Sequence, residues 1–503
     1  MRPRLPFPFV ALVLAATSIP GLIAQARDVD VLLYMAAAAR ANALHALPYA
    51  AAWIEKGPLA MAVFQLTGRN AFVGVSIAWL ALSIAGAWLS AALAREAGAW
   101  WADGWAALAF AIGIGTVGGT LNTEGIALVP AAAALLLWCK RAPAWQTGLL
   151  AGAAFLCRQN AGALLPILLA LEIARGGGVR RAAILLGSFA VPVALTMAIY
   201  AAAGEWSAFS FCFWKYNTSI YLAATHVTGE RILRIPWDAT VSFLWPVRTS
   251  AALAVAGLVL AVPRTKNALA LAAVAAGLLL AVIPGFRFFT HYAALALPMV
   301  AALAAVGLES IVARAGARGL LVVALAAFSW GLELAPRGWL DTGARLASWA
   351  ERGGWRHPGD PLEWPGTDER VTPVARFLRD HARPEDRIFV WGMRPHILVY
   401  ADRVLATRFT TCTFLTGLVP WERVAPYEDT TPWIVPGAWD LLTKDLNEER
   451  PRFIVDASMD HHFGDGAYPP SKFPPLQAIL DRDYARVHES GETDHFVVWE
   501  RKP

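Results

Sequence analysis

Long apolar runs, broken by short clusters of charge, fill positions 7 to 335, and beyond them the pattern becomes that of a water-soluble chain. A helix needs about 20 apolar residues to cross a bilayer. The runs therefore predict spans over 7–24, 71–93, 104–119, 126–138, a divided stretch over 145–174, and then 182–203, 242–262, 268–283, 292–308 and 320–334. From position 370 the periodicity alternates: helical over 371–381, extended over 387–391 and closed by Gly392, helical over 437–448, extended over 452–455. A helix over 476–481 then precedes two extended runs ending at Val498,. The expectation is a polytopic α-helical membrane protein with a C-terminal soluble α/β domain. Its parts are a membrane region over 1–335, a linker over 336–369 with its Pro- and Gly-rich heart at 355–367, and a soluble domain over 370–503.

Composition supports this reading: 16% of the 503 residues are charged, against about 25% in a soluble protein, and 57% are hydrophobic,. The net charge of +5 comes largely from basic clusters between apolar runs, which marks topology and argues against nucleic-acid binding,. Those clusters (Arg2/Arg4, Arg95, Lys140/Arg141, Arg175/Arg180/Arg181, Arg264/Lys266, Arg314/Arg318) fall at every second loop if 145–174 crosses twice, breaking at Arg158-Gln159-Asn160. About eleven crossings follow, with a cytoplasmic N-terminus. The loops carrying Asp28/Asp30, Glu55/Lys56, Glu124, Arg158, Glu205 to Asp238 and Arg287/His291 then face outward, as does the C-terminal domain. Ala24-Gln25-Ala26 mimics a signal-peptidase site, but the first run is read as a retained span, and either way Asp28 emerges outside the cytoplasm,. The half-apolar loop over 27–70, with Tyr34, Tyr49, Trp53 and Gly57-Pro58, predicts helices lying along the interface,.

Nearly every charged group fit for chemistry thus meets one membrane face. Asp28 or Asp30, beside the low-dielectric boundary, has the setting of a general base, though either also suits a solvated flank. Glu124, in Leu121-Asn-Thr-Glu-Gly125, reads equally as a helix-start carboxylate and as a site residue,. Arg158, Arg287 and His291 could each anchor a span end; together they could neutralise a phosphate, with Arg248 a weaker candidate. Trp53, Trp206 and Trp214 suit interfacial anchoring better than sugar stacking. Gly113-Ile-Gly-Thr-Val-Gly118 matches a dinucleotide fingerprint in letters only, since no strand precedes it; close helix packing explains it better,. Asp456, Asp460, His461, His462 and Asp465 form a solvated loop in preference to a metal cluster, and Cys139, Cys157, Cys212 and Cys412 indicate neither a zinc site nor a disulfide framework,.

The order of these motifs is familiar: an acidic pair after the first span, Pro48-Tyr49, Glu55-Lys-Gly-Pro58, Asn122-Thr-Glu124, Arg158-Gln159, and Arg287-Phe-Phe-Thr-His-Tyr-Ala-Ala-Leu-Ala-Leu-Pro298. Over about residues 10–310 it resembles the bacterial family 39 glycosyltransferases of the GT-C fold, related to protein O-mannosyltransferases and aminoarabinose transferases. The resemblance implies transfer of a sugar from a polyprenyl-phosphate donor to an acceptor hydroxyl, usually with inversion. Asp28 or Asp30 would be the base, and Glu124, with Glu55, would bind acceptor or a divalent cation, the only cofactor implied. Lys56, the lysine before the proline motif, would join Arg158, Arg287 and His291 at the donor phosphate. Two departures stand out: Asp28-Val29-Asp30 replaces the family's adjacent acids, and Arg158 stands where a lysine is common. The acceptor, whether lipid, glycan or protein, stays open. A lipid-linked-sugar flippase would need mid-span charges and an internal repeat, which are scarce and undetected respectively; a non-catalytic assembly partner is the other rival.

Overall fold

The computed structural model describes every residue except 1–4, 6, 69–70, 226–227, 262–264, 335–336, 355–359, 419–428, 460–467 and 491–494. Arg2, Arg4, Arg264, Asp460, His461, His462 and Asp465 lie outside the described residues.

The chain begins with α1 (Phe7–Ala24) and α2 (Val29–Leu44), bent by 67° from one another. Asp28 makes the corner. Its backbone is extended and its Oδ1 accepts the N–H groups of Asp30 (3.0 Å) and Val31 (3.2 Å), satisfying amides that the start of α2 leaves free,. Two further helices, α3 (Pro48–Ala51) and α4 (Pro58–Thr67), each open on proline, which needs no donor there,.

Then come α5 (Ala71–Glu96), α6 (Asp103–Val117), α7 (Thr123–Cys139), α8 (Ala144–Cys157), α9 (Leu164–Ala174) and α10 (Gly178–Ala202). The chain breaks between α8 and α9 at Arg158, whose extended backbone leads into a 3-10 turn over Gln159–Ala163. Next, α11 (Trp206–Ser210) continues as widened turns to Tyr221, followed by α12 (Gly229–Ala239), α13 (Arg248–Ala261), α14 (Lys266–Leu280), α15 (Leu297–Ala315), α16 (Gly319–Leu334) and α17 (Arg337–Glu351). Among the described residues five helices are long and apolar enough to cross a membrane, or up to seven if each bent pair is one span. Several helices fall short of bilayer thickness: α8, with 14 residues, reaches about 21 Å at 1.5 Å per residue,. Gly113 packs on α15, where a Cβ would sit 2.5 Å from Leu297 Cδ1. The glycine motif therefore serves helix contact.

The C-terminal domain holds α18 (Thr372–His381), β1 (Arg387–Trp391), α19 (His396–Ala401), β2 (Val404–Leu405), α20 (Thr413–Thr416), α21 (Ala438–Glu449), β3 (Phe453–Met459), α22 (Pro474–Asp483), β4 (Tyr484–Ser490) and β5 (His495–Arg501). Its sheet runs β2-β1-β3-β5-β4, parallel across the first three strands and antiparallel across the last three. Ile388, Phe389, Val390, Phe453, Ile454 and Val455 are all buried, the continuous apolar run expected of parallel strands covered on both faces,.

Two regions differ from the sequence expectation. The segment 336–369 is not merely a tether: α17 occupies its first half, and Trp364 stacks on Phe72 at 5.5 Å. Nor does α2 lie open on the interface, since Val31 to Ala38 and Arg40 are buried. The cause is the soluble domain. Arg40 reaches it through Nη1 to Leu405 O (2.6 Å) and Nη2 to Glu449 Oε1 (3.2 Å), while Tyr400 donates its hydroxyl to Ala26 O (2.5 Å) and accepts from Asp368 N (3.0 Å). The domain is thus clasped onto the segment between α1 and α5.

Candidate functional site

The corner after α1, the loop before α4, the α8–α9 break and the turn before α15 converge beneath the C-terminal domain. They enclose two adjoining cavities. The smaller, about 40 Å³, is lined by Asp30, Glu55, Lys56, Tyr216, Tyr221, His291 and Tyr292, with Met393, Thr411 and Thr413 contributed by the C-terminal domain. The larger, about 260 Å³, shares Glu55, Lys56, Tyr221 and Tyr292 and continues past Arg158, Gln159, Trp214, Asn217 and Arg287 to the apolar Ala281, Val282 and Pro284. The shared residues form the partition.

Asp28 and Asp30 have different work. Besides capping α2, Asp28 accepts the Thr120 hydroxyl on Oδ2 (2.5 Å), so both its oxygens are occupied. Burial, reinforced by the neighbouring Asp30 charge, pushes its carboxyl above the usual range,. Asp30 instead lines the small cavity and is steadied by Asn122 Nδ2 (3.3 Å), whose Oδ1 accepts from Tyr34 (3.3 Å) and from Thr123 N (2.8 Å).

Glu124 is buried at the start of α7, where it meets Arg158 Nη2 at 2.9 Å and accepts the Thr123 hydroxyl at 3.0 Å. Arg158 also donates to Thr123 Oγ1 (3.2 Å) and faces the Tyr292 ring at 5.1 Å. The carboxylate therefore sits behind the guanidinium, which alone of the two lines the large cavity. Glu55 pairs with Lys56 at 3.0 Å, and the Glu55 carbonyl accepts both Gln159 Nε2 and Asn217 Nδ2 at 3.1 Å, which fixes the loop. Burial alone would lower the Lys56 ammonium, but the Glu55 carboxylate, helped by Asp30, holds it above its ordinary value. Arg287 lies 3.9 Å over the Tyr221 ring.

Of the proposed phosphate-facing cations, Lys56, Arg158 and Arg287 meet in the large cavity, whereas His291 lines the small one beside Asp30. Arg248 is apart from both, 5.2 Å from Trp245. Trp214 lines the large cavity; Trp53 is buried against Phe211, Phe409 and Phe414. Tyr216, Tyr221 and Asn217, and all of the soluble domain's contributions, carry no local sequence signal that would single them out. Among the described residues no group of three or more His, Cys, Asp or Glu is placed to hold a metal ion, and the four cysteines are buried.

No family model matches this sequence, and no curated protein matches it either. Solved structures do. ArnT from Cupriavidus metallidurans in the apo state superposes with a TM-score of 0.59 at 15% identity, covering 98% of this chain and 97% of that one. The same protein bound to undecaprenyl phosphate gives 0.60 at 15% identity, with 98% of each chain covered. At this identity the likeness is one of architecture, and it extends end to end: this chain has a GT-C-like fold, a multi-pass helical membrane region carrying a C-terminal α/β domain.

Proposed function

We propose that this protein is a membrane glycosyltransferase that moves a sugar from a polyprenyl-phosphate donor to an acceptor hydroxyl at the outer face of a bacterial inner membrane. The carrying observation is the paired cavity: three cations, Lys56, Arg158 and Arg287, face the larger compartment, and the carboxylate of Asp30 faces the smaller one across a shared wall. A lipid phosphate suits the first compartment. Its charge would meet guanidinium and ammonium donors, and its chain would leave past Ala281, Val282 and Pro284,. The architectural neighbour with undecaprenyl phosphate bound supports this choice of ligand.

In the proposed reaction Asp30 takes the proton of the acceptor hydroxyl. The oxygen attacks the anomeric carbon, the bond from that carbon to the phosphate oxygen breaks, and the electron pair leaves with the lipid phosphate, where the three cations stabilise the charge. Attack from the side opposite the phosphate inverts the anomeric centre. Asp30 is preferred to Asp28 because Asp28's oxygens are consumed in capping and in the Thr120 contact. Glu124 is a positioning residue that aims Arg158, and Glu55 does the same for Lys56.

The test is purified protein in liposomes, given radiolabelled polyprenyl-phosphate sugars and bacterial envelope extract, with label counted in products. Asp30→Asn should cut transfer by roughly 10²–10⁴-fold, the usual contribution of a general base, while the variant still binds undecaprenyl phosphate. Transfer by Asp30→Asn at the wild-type rate would remove Asp30 from the chemistry.

A further inference from the structure

The soluble domain reaches the chemistry through one short segment. Trp53, in the first external loop, donates its N–H to Arg408 O (2.6 Å), and its own carbonyl accepts the Thr410 hydroxyl (2.7 Å), so that Trp53 and Phe409 pair as in a parallel sheet. Behind this junction Asp445 holds Arg408 by its backbone N–H and its Nη2, both at 2.8 Å. Ahead of it, Cys412 N donates to Gly392 O (3.2 Å), tying the segment to the turn that leaves β1. That turn needs glycine: Gly392 has φ 142°, and a Cβ would lie 3.0 Å from Ala457 O of β3. The carboxyl ends of parallel strands are where open α/β sheets place ligand-contacting residues. Here that edge presents Met393, Thr411 and Thr413 to the cavity that holds Asp30.

Thr411 and Thr413 are buried, and their hydroxyls hydrogen-bond one another at 2.7 Å. Thr413 also hydrogen-bonds the Tyr216 hydroxyl, which lines the same cavity, and a chain of three hydroxyls joined by two hydrogen bonds leaves one proton and several lone pairs for a further partner,. The space they face is about 40 Å³, against the ~10–15 Å³ of such space that a single water needs,. It takes a reacting hydroxyl and a few atoms beside it.

We infer that Thr411 and Thr413 select the acceptor: the C-terminal domain supplies the part of the wall that hydrogen-bonds the polyol group carrying the attacking hydroxyl, in the same small cavity that Asp30 lines. The inference rests on the glycosyltransferase reading and deepens it. It assigns acceptor recognition to the soluble domain and donor recognition to the membrane region, and it identifies the acceptor group as one with a hydroxyl or other polar atom next to the nucleophile.

Thr→Val keeps the shape of each side chain and removes its hydroxyl; Thr→Ser keeps the hydroxyl. Wild type, Thr411→Val, Thr413→Val, the double valine variant and both serine variants are assayed for label transfer across a dilution series of envelope extract, and for undecaprenyl phosphate binding by tryptophan fluorescence. Each valine should raise the extract concentration giving half-maximal transfer about tenfold, the worth of one buried hydrogen bond, with the lipid-phosphate affinity unchanged and the serine variants near wild type. A double valine variant with wild-type half-saturation would overturn the inference, as would an equal loss of lipid-phosphate affinity. If the wild type neither transfers label from any donor nor binds undecaprenyl phosphate, the glycosyltransferase reading itself fails and the inference falls with it.

Discussion

In the membrane region the buried carboxylates Glu124 and Glu172 each hold an arginine, and only the first pair borders the two cavities of the candidate site. Glu124 meets Arg158 at 2.9 Å beside the larger cavity; Glu172, near the end of α9, meets Arg181 at 2.7 Å. Glu172 also accepts the Trp138 indole N–H at 2.8 Å and packs against Gly177, so its oxygens are used in joining α7, α9 and α10. Arg175 completes that cluster, 3.6 Å over Trp138 and bonded to the Trp138 carbonyl at 3.0 Å. The chemistry of the two pairs is the same. Their surroundings separate them: Arg158 has a second face on a cavity that also receives Lys56 and Arg287, while Arg181 runs out toward solvent. An ion pair becomes a candidate site residue when one partner still has a face to offer.

The largest expected contrast comes from deleting the two arginines. Arg158→Ala should lower transfer by about 10²–10³-fold, the range seen when a charge-stabilising donor is removed, and should weaken undecaprenyl phosphate binding. Arg181→Ala should leave turnover unchanged. It should instead lower stability by about 1–2 kcal/mol, less than the ~3–5 kcal/mol of a fully buried pair because Arg181 is about a third exposed,. Thermal unfolding in detergent and the transfer assay measure the two arms. An active Arg158→Ala protein, or an inactive but folded Arg181→Ala protein, would break the contrast.

A smaller effect is expected at the carboxylates. Glu124→Gln retains shape and hydrogen bonding but frees Arg158 from its charge partner, so turnover should fall about tenfold, a loss of roughly 1.4 kcal/mol in transition-state alignment, with lipid-phosphate affinity equal to or above wild type. Glu172→Gln should not change turnover. A loss at Glu124→Gln as large as that at Asp30→Asn would move Glu124 from positioning into the reaction.

How much of this was legible in the chain follows from the range of each interaction. The helices lie where apolar runs lie, because burial in lipid needs only local composition, and the Arg158-Gln159-Asn160 interruption falls where the α8–α9 helix gives way. The soluble domain's helix and strand alternation was readable for the same reason. The helix α17 was hidden because its amphipathic stretch adjoins the Pro- and Gly-rich stretch 355–367. Choosing between Asp28 and Asp30 was beyond sequence, since the two differ only in which one turns its oxygens to the amides of α2. The Thr410 contact with Trp53 spans 357 positions, and no local pattern announces a partner at that distance. His291 shares a motif with Arg287 yet lines the other compartment: extended backbone at Phe289 separates Arg287 from the 3-10 turn over Thr290–Ala296 that carries His291.

The finest test extends the comparison to a carboxylate held by neutral donors. Asp28 is gripped by two backbone N–H groups and the Thr120 hydroxyl, and burial with the nearby Asp30 charge raises its pKa. Asp368, in the clasp that joins the soluble domain to α1, is opposed by burial as well, but Arg370's hydrogen bonds and charge bring it from 3.8 down to about 2. The signs differ. A raised folded-state pKa means the folded protein binds the Asp28 proton more tightly than the unfolded chain does, so its ionisation weakens the fold above that pKa and the penalty is relieved as pH falls through it. A lowered pKa means that Asp368 contributes stability above its unfolded value, and that this contribution goes only as pH falls below 3.8,. Asp368→Asn should therefore lower the melting temperature by an amount that is constant above pH 3.8 and shrinks below it, whereas Asp28→Asn should gain on wild type as pH rises above 3.8,. An Asp28→Asn difference that changes only below pH 3.8, as at Asp368, would show that Asp28 shares the lowered state of the arginine-paired carboxylates, and that its neutral cap is as strong a partner as a guanidinium.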